Sequence, residues 1–343
     1  MDLCRGRDSK VKTKGIPLML LLLIAIACGC RGQAAQPPAD PITEIPTATP
    51  TYVTLATIEY EVRESLTVVN NGPGEPSKHN LWLALLRDIP PYQTVHSMEI
   101  TPDEYQLITD EYGNRYAEFD LAGIPPASSI PIQVQYHVAV NELSYDLNDC
   151  EGSVPDIFNK PDLHIESNNI QIIELARQLA EGKHTACEQV RAFYDYIGNH
   201  LVYSYNGANW GAQAALGPMG ADCTEYASLM IALSRAQGWP ARYVEGLRVL
   251  GDEPEGDART EHAWLEIYLP GNGWVPFDPT LGRSSVTREE HFAHLTPDHI
   301  IVTVGRNPST LRGASYWTHL YWPGTSTEIR IQGFEWVIAA ISD

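Results

Sequence analysis

Three residue types that act together in nucleophilic catalysis occur along this sequence as Cys223, His262 and Asp278. A cysteine thiolate attacks a carbonyl carbon, an imidazole takes up the thiol proton and returns it to the leaving group, and a carboxylate fixes the imidazole tautomer and orientation. A cysteine without partners is more often a buried structural side chain than a reactive one. A chemical role for Cys223 therefore depends on whether the other two residues can reach it.

Cys223 is predicted to begin a helix. The segment Gly220-Ala-Asp-Cys-Thr-Glu precedes apolar residues at helical spacing, with Asp222 as the N-cap and Gly238 after the last turn. The unpaired N–H groups and the positive end of the helix dipole favour negative charge at this point, and so favour the thiolate. The same N–H groups could hold the oxyanion of a tetrahedral intermediate.

His262 and Asp278 are predicted to lie on the two strands of one hairpin. In the strand 261–269, His262 and Trp264 share a face, and the turn 270–272 has the composition Pro-Gly-Asn. If the turn has three residues, Asp278 falls opposite Trp264 and one diagonal step from His262, within side-chain reach. A two-residue turn would instead place Asp278 on the other face of the hairpin.

The three segments resemble the transglutaminase-like superfamily. The resemblance covers about residues 165–310 and rests on Gly220-Ala-Asp-Cys223-Thr-Glu-Tyr-Ala, Glu261-His262-Ala-Trp264 and Trp274-Val-Pro-Phe-Asp278-Pro-Thr280. It implies a papain-like α+β core with the cysteine at a helix start and the histidine and aspartate on adjacent strands. It also implies a side-chain oxyanion donor upstream of Cys223, for which Trp210 and Gln213 are both candidates.

The elements around these residues divide the chain into four predicted parts. Residues 1–27 form a signal peptide, residues 28–50 a Pro/Thr-rich tether, residues 51–148 a sandwich-like all-β domain, and residues 160–343 the catalytic domain with C-terminal strands. Short β segments separated by Gly and Pro turns indicate the sandwich. Helices followed by antiparallel strands indicate an α+β domain. The predicted fold class is therefore α+β, a papain-like transglutaminase core of helices plus antiparallel sheet, preceded by an all-β sandwich-like domain.

The N-terminus predicts export. Basic residues up to Lys14 precede the apolar run Ile16–Ala27, which is followed at once by Cys28. A run of this length suits a signal peptide better than a membrane span, and a small residue before a cysteine resembles the bacterial lipoprotein cleavage box. We expect a lipid on Cys28, with Cys30 as the second candidate and plain secretion or an uncleaved anchor as alternatives. The expected location is the cell surface or periplasm, anchored to the membrane, or else secreted.

The cysteine count bears on the state of Cys223. The chain has six cysteines. Once Cys4 and the lipid-site cysteines are set aside, Cys150, Cys187 and Cys223 remain in folded sequence, an odd number for an oxidising compartment. A Cys150–Cys187 disulfide would leave Cys223 free, and the alternative is that all three are reduced.

Composition argues against several other functions. The formal net charge of −20 leaves no basic surface for nucleic acid. His291, His294 and His299 have no partners at zinc-site spacing, and the acidic stretch 252–257 has no ordered calcium-ligand spacing. We therefore expect no metal and no cofactor.

The predicted function is that of an exported thiol enzyme that acts on amide bonds of proteins or peptides through a thioester. Hydrolysis is favoured because water is always present and no amine-binding feature is visible in the sequence. Protein-glutamine amine transfer is one alternative, because the triad does not determine which acceptor reaches the thioester. A non-catalytic cell-surface binding module with the same fold is the other, although no triad member is missing.

Overall fold

The computed structural model describes residues 52–147, 150–205, 210–249, 261–324 and 326–341. The predicted signal peptide, the tether, the lipid-site candidates Cys28 and Cys30 and the acidic stretch 252–257 lie outside these residues. Within the described ranges, no helix has both the length and the apolar character needed to cross a membrane.

The described residues form strands first, then helices, then strands again. The first group is β1 (Tyr52–Asn70), β2 (Lys78–Leu85), β3 (Gln93–Thr101), β4 (Gln106–Thr109), β5 (Arg115–Asp120) and β6 (Ser128–Tyr145). The helices are α1 (Ile170–Ala180), α2 (Ala186–His200), α3 (Ala212–Ala215) and α4 (Cys223–Ala236). The second group is β7 (Ala241–Arg248), β8 (Glu261–Leu269), β9 (Gly273–Phe277), β10 (His294–Leu295), β11 (His299–Val304), β12 (Trp317–Trp322) and β13 (Ile329–Ala340).

Two antiparallel sheets form the β layers. One has the order β10-β6-β1-β13, with β3 also paired to β6, and the other has the order β4-β5-β2-β12. Apolar residues alternate with exposed ones along β6, where Ile132, Val134 and Tyr136 are buried. These side chains share one core with Leu81 and Phe119 of the second sheet. The arrangement agrees with the sandwich-like part of the predicted fold.

The last two strands belong to these layers and not to the predicted domain 160–343. β12 pairs with β2, and β13 pairs with β1, where Tyr60 stands opposite Ala340. Their position after the catalytic residues along the chain predicts both strands as part of the catalytic domain. Strand partners are decided by long-range packing, which a local pattern does not reveal.

The α+β part is built around one buried helix. Every residue from Glu225 to Arg235 in α4 is buried, because α1, α2 and α3 contact it and the sheet β11-β7-β8-β9 covers it further. A helix that is buried on all sides must be apolar or small on all sides, and the segment Tyr-Ala-Ser-Leu-Met-Ile-Ala-Leu meets that condition. The helix start is thereby held in place by a close-packed core.

A disulfide joins Cys150 to Cys187 near the start of α2, with the two Cα atoms 5.8 Å apart. The structure thus has the first of the two cysteine arrangements considered above. Cys223 is the free cysteine of the part of the chain that the structure describes. The cross-link spans 37 residues of chain, and a loop of that size restricts the unfolded state by about 4 kcal/mol.

Candidate active site

Cys223 is the first residue of α4, and a capping box fixes the backbone around it. The Asp222 side chain accepts from the Thr224 N–H at 3.0 Å, and the Glu225 side chain accepts from the Asp222 N–H at 3.1 Å. Burial raises the pKa of Glu225 to about 7, although its backbone N–H partners act in the opposite direction. The box satisfies part of the helix terminus and leaves the thiol half-buried at the positive end of the dipole.

The hairpin of β8 and β9 has the three-residue turn on which the sequence argument depended. Leu269 pairs with Gly273 and Leu265 with Phe277, so Asp278 follows the pair at the position opposite Trp264. The His262 Nε2 and Asp278 Oδ2 atoms lie 2.6 Å apart, and both side chains are buried. The turn therefore determines that the two side chains meet.

The thiol completes the set. The Cys223 side chain hydrogen bonds with the imidazole of His262. Because Nε2 of that ring faces Asp278, Nδ1 is the nitrogen available to the sulfur. The structure thus brings Cys223, His262 and Asp278 together in the order that nucleophile, base and orienting group require.

His262 and Asp278 stabilise each other's charged forms. Burial alone would lower the pKa of His262, but the attraction and hydrogen bond of Asp278, together with the contact to Cys223, raise it to about 10. Burial alone would raise the pKa of Asp278, but His262 and His299 hold it well below its usual value. An imidazolium is therefore the favoured form of His262 at neutral pH, and a neighbouring imidazolium favours a thiolate.

A second buried histidine reaches the same carboxylate. His299 Nε2 lies 3.3 Å from Asp278 Oδ2, and its Nδ1 lies 2.9 Å from Asp298 Oδ1. Asp298 accepts in turn from Arg248 at 3.1 Å. Both ring nitrogens of His299 can donate only in the protonated form. Burial lowers the pKa of His299, but its bonds to the two carboxylates raise it overall.

In the sequence, His299 stands at the start of a predicted strand and among the histidines weighed as metal ligands, and no spacing connects it with Asp278. Atoms of His262, Asp278 and His299 lie within 4.8 Å of one another, which is close enough to surround a metal ion. A metal there would take the atoms that now pair His262 with Asp278. The 2.6 Å contact between those two side chains is the geometry of a hydrogen-bonded triad.

Replacing His299 by glutamine is expected to shift the pH profile of Cys223 alkylation toward higher pH by about one unit. Loss of a buried positive charge beside Asp278 leaves the cluster more negative, which disfavours the thiolate. Iodoacetamide rates measured from pH 4 to 9 test this. His294→Gln is the matched control, since His294 pairs with Glu142 at 2.9 Å and does not touch the triad. Identical profiles for His299→Gln and the native protein would contradict the expectation.

The two oxyanion candidates occupy different places. Trp210 lines the cleft that contains Cys223 and is 54% exposed. Its neighbour Gly211 donates to the buried Glu225 side chain at 3.3 Å, which ties this segment to the start of α4. Gln213 lies on α3 with an exposed side chain, outside the residues that line the cleft. Of the two, Trp210 is the one that lines the same cleft as the thiol.

Cys223 and His262 face a cleft of about 990 Å³. Its lining includes two groups of side chains that differ in character. Apolar and aromatic ones are Leu163, Tyr203, Tyr205 and Trp210, and charged ones are Glu245, Arg248, Glu261 and Arg306. A cleft of this size can accept a segment of polypeptide, with its reacting bond held next to the thiol.

A helix-start cysteine beside a histidine and an aspartate on neighbouring antiparallel strands defines the class of site found in papain-like thiol enzymes. Residues 173–279 match the family model described as the transglutaminase-like superfamily. The chain therefore contains a transglutaminase-like core domain, and the resemblance seen in the sequence is confirmed.

Individual proteins are similar to all or part of this chain. YebA of Bacillus subtilis strain 168, named as an uncharacterized protein, is 28% identical over 127 residues, which are 32% of this chain and only 17% of YebA. The structure of a "putative cysteine protease" from Cytophaga hutchinsonii covers 85% of this chain and 93% of its own, with 18% identity and a TM-score of 0.57. The periplasmic domain of TgpA from Pseudomonas aeruginosa covers 71% and 96%, with 17% identity and a TM-score of 0.35. The match to the Cytophaga structure extends well beyond the core domain, and the predicted fold class is confirmed.

Proposed function

We propose that the protein is a cysteine enzyme that hydrolyses amide bonds of proteins or peptides. The observation that carries the proposal is the Cys223–His262–Asp278 set, with its 2.6 Å His–Asp contact at a cleft large enough for a peptide segment. A purely structural role would not require a free thiol, a buried imidazole and a buried carboxylate to meet at a cleft.

The geometry supports the following sequence of steps. The Cys223 thiolate attacks the amide carbonyl carbon, and the resulting oxyanion lies near the N–H groups at the start of α4. The His262 imidazolium gives its proton to the leaving amine as the carbon–nitrogen bond breaks, and a thioester remains. His262 then takes a proton from water, the hydroxide attacks the thioester, and the acid leaves as the thiolate is restored. Asp278 holds the imidazole in one orientation throughout.

Export and membrane anchoring through Cys28 are part of the same proposal. The Cys150–Cys187 disulfide supports an oxidising compartment, because such bonds persist outside the reducing cytoplasm. The sequences of the signal peptide and the tether support export and membrane anchoring. The name of the Cytophaga protein supports a protease activity for its own chain, and we extend that activity to this one as a proposal.

Amine transfer is the competing reaction, because an amine can resolve the same thioester in place of water. Incubation with dimethylcasein and a fluorescent alkyl amine separates the two reactions. We expect casein fragments without label incorporation, since no bound amine is required for hydrolysis. Covalent label on intact casein, absent with the Cys223→Ser variant, would show transfer instead. Neither product, together with a thiol that is not activated, would favour the binding module.

A further inference from the structure

We propose that Arg306 binds a carboxylate of the substrate, so that the enzyme prefers peptides with an acidic group near the reacting bond. The inference rests on the proposed function, since it names a property of the substrate of that same cleft. It depends on the position of Arg306 in the cleft, on the contacts that hold its side chain, and on its lack of an ion-paired carboxylate among the described residues.

Tyr243 connects Arg306 to the nucleophile. The Arg306 guanidinium carbon lies 4.7 Å from the centre of the Tyr243 ring. The Tyr243 side chain hydrogen bonds with Thr224 and interacts electrostatically with Cys223, and its ring is 1% exposed. Arg306, Tyr243 and Cys223 all line the same cleft. A group bound by Arg306 therefore lies on the same substrate as the bond that the thiol attacks.

The backbone holds Arg306 in place. The Gly305 N–H donates to the Tyr243 carbonyl at 2.8 Å, so one residue anchors both the chain and the guanidinium. Gly305 has φ +95°, and an added Cβ would lie 2.5 Å from the Tyr112 ring, so glycine is required there. When a guanidinium stacks on an aromatic ring, its N–H groups point outward in its own plane and remain free to bind a carboxylate. The site is therefore organised before the substrate arrives.

Among the described residues, the Arg306 guanidinium has no ion-pair partner, whereas that of the cleft residue Arg248 has one. Arg248 donates to Asp298 at 3.1 Å, and Arg283 donates to the Thr280 carbonyl at 2.6 Å. Among the described residues, no carboxylate oxygen lies within 4.0 Å of the Arg306 nitrogens, and its buried Nε has no hydrogen-bond partner. A half-buried guanidinium without an acceptor is costly.

Glu245 is the acidic neighbour that a bound carboxylate would meet. It interacts electrostatically with Arg306, but its side chain hydrogen bonds with Ser315. Burial, the largest cause, raises the pKa of Glu245. A substrate carboxylate would form two N–H hydrogen bonds with Arg306. These stabilise it more than repulsion from Glu245 destabilises it.

Bromoacetyl peptides test the proposal without knowledge of the natural substrate. The Cys223 thiolate displaces bromide, so each second-order rate constant reports how the peptide is held beside the thiol. One peptide amide carries glutamate, its twin carries glutamine, and a third is the glutamine peptide with a free C-terminus. The proteins are the native chain, Arg306→Gln, Arg306→Lys and Arg330→Gln. Arg330 is the control because it lies on β13, pairs with Glu328 and is not among the residues that line the cleft.

We expect at least one carboxylate peptide to react about tenfold faster than its neutral twin with the native chain. The ratio should fall to about one in Arg306→Gln, stay intermediate in Arg306→Lys, which keeps charge but loses the planar fork, and remain unchanged in Arg330→Gln. The glutamate and free-acid peptides distinguish a side chain from a C-terminus. A native ratio of one, or a ratio that Arg306→Gln leaves intact, would overturn the proposal. Bromoacetamide that reacts with Cys223 no faster than with glutathione would instead reject the proposed function.

Discussion

Replacing Cys223 by serine will remove the fast reaction with iodoacetamide at pH 6 and will lower amide hydrolysis by at least about a thousandfold. A serine hydroxyl is far less acidic than a thiol, so the His262 imidazolium has no anion to stabilise. In the native protein the same imidazolium and the positive end of the α4 dipole both lie beside the sulfur, where they stabilise the anion that attacks iodoacetamide. The native chain should therefore be alkylated faster than a free thiol at pH 6.

Peptide mapping identifies the site of labelling, because the chain has six cysteines. Cys150 and Cys187 are joined to each other and should not react. The fold should survive the substitution, since the side chain is only half-buried and serine fits its place. Labelling of Cys223 at the rate of glutathione would contradict the activated thiol, and full hydrolysis by the serine variant would contradict its role as nucleophile.

Asp278→Asn is expected to lower turnover by roughly a thousandfold to ten-thousandfold, as loss of the orienting aspartate does in serine-based triads. The carboxylate accepts from His262 Nε2, while its other oxygen accepts from the Thr280 and Leu281 N–H groups at 2.9 Å each. An asparagine that keeps the bonds to these two N–H groups presents its amine to the imidazole. The neutral imidazole then carries its proton on Nδ1, the nitrogen that faces Cys223, and can no longer take up the thiol proton.

The same substitution should alter how stability depends on pH. The folded pKa of His262 is about 10, above its usual value, so its charged pair stabilises the fold fully below about pH 6.5 and the contribution is lost as pH rises toward 10. The folded pKa of Asp278 is depressed, so its contribution is present above about pH 4 and is lost as pH falls through the folded value. Asp278→Asn should flatten the decline between about pH 6.5 and 10.

Urea unfolding at pH 6, 8 and 10 measures this change. Glu142→Gln is the matched control, because it removes another histidine–carboxylate pair, with His294, that does not line the cleft. An alkaline decline in Asp278→Asn as steep as that of the native protein would show that the pair does not carry the linkage.

The parts of the site that local sequence determines could be predicted. A capping residue before Cys223 indicates a helix start, and the Pro-Gly-Asn turn with strand alternation sets the hairpin register that brings Asp278 to His262. Each of these features depends on residues within about one turn or one hairpin of each other. The closeness of Cys223 to the hairpin followed instead from the family resemblance.

The remaining features depend on pairing between distant segments. His299 reaches Asp278 because β11 joins the sheet beside β7, with β7 and β8 lying between β11 and β9. No turn residue or residue spacing in the sequence indicates this order of the strands. The Asp298-His299 sequence was the available signal, but it indicates a partner only after the strand order is known. The position of Arg306 above Tyr243 could not be predicted for the same reason, because it follows from the pairing of β11 with β7.

The pairing of β1 with β13 has a consequence for folding and aggregation. Tyr60 faces Ala340, so this sheet cannot close until nearly all of the described chain has been synthesised. Contacts over such distances form slowly, whereas the helices pack from nearer segments, and the disulfide joins α2 to the segment that follows β6. Until β13 arrives, the long β1 presents one edge of unpaired N–H and C=O groups. That edge is a template for another strand, so intermolecular β pairing is the characteristic failure expected of a chain that lacks β13.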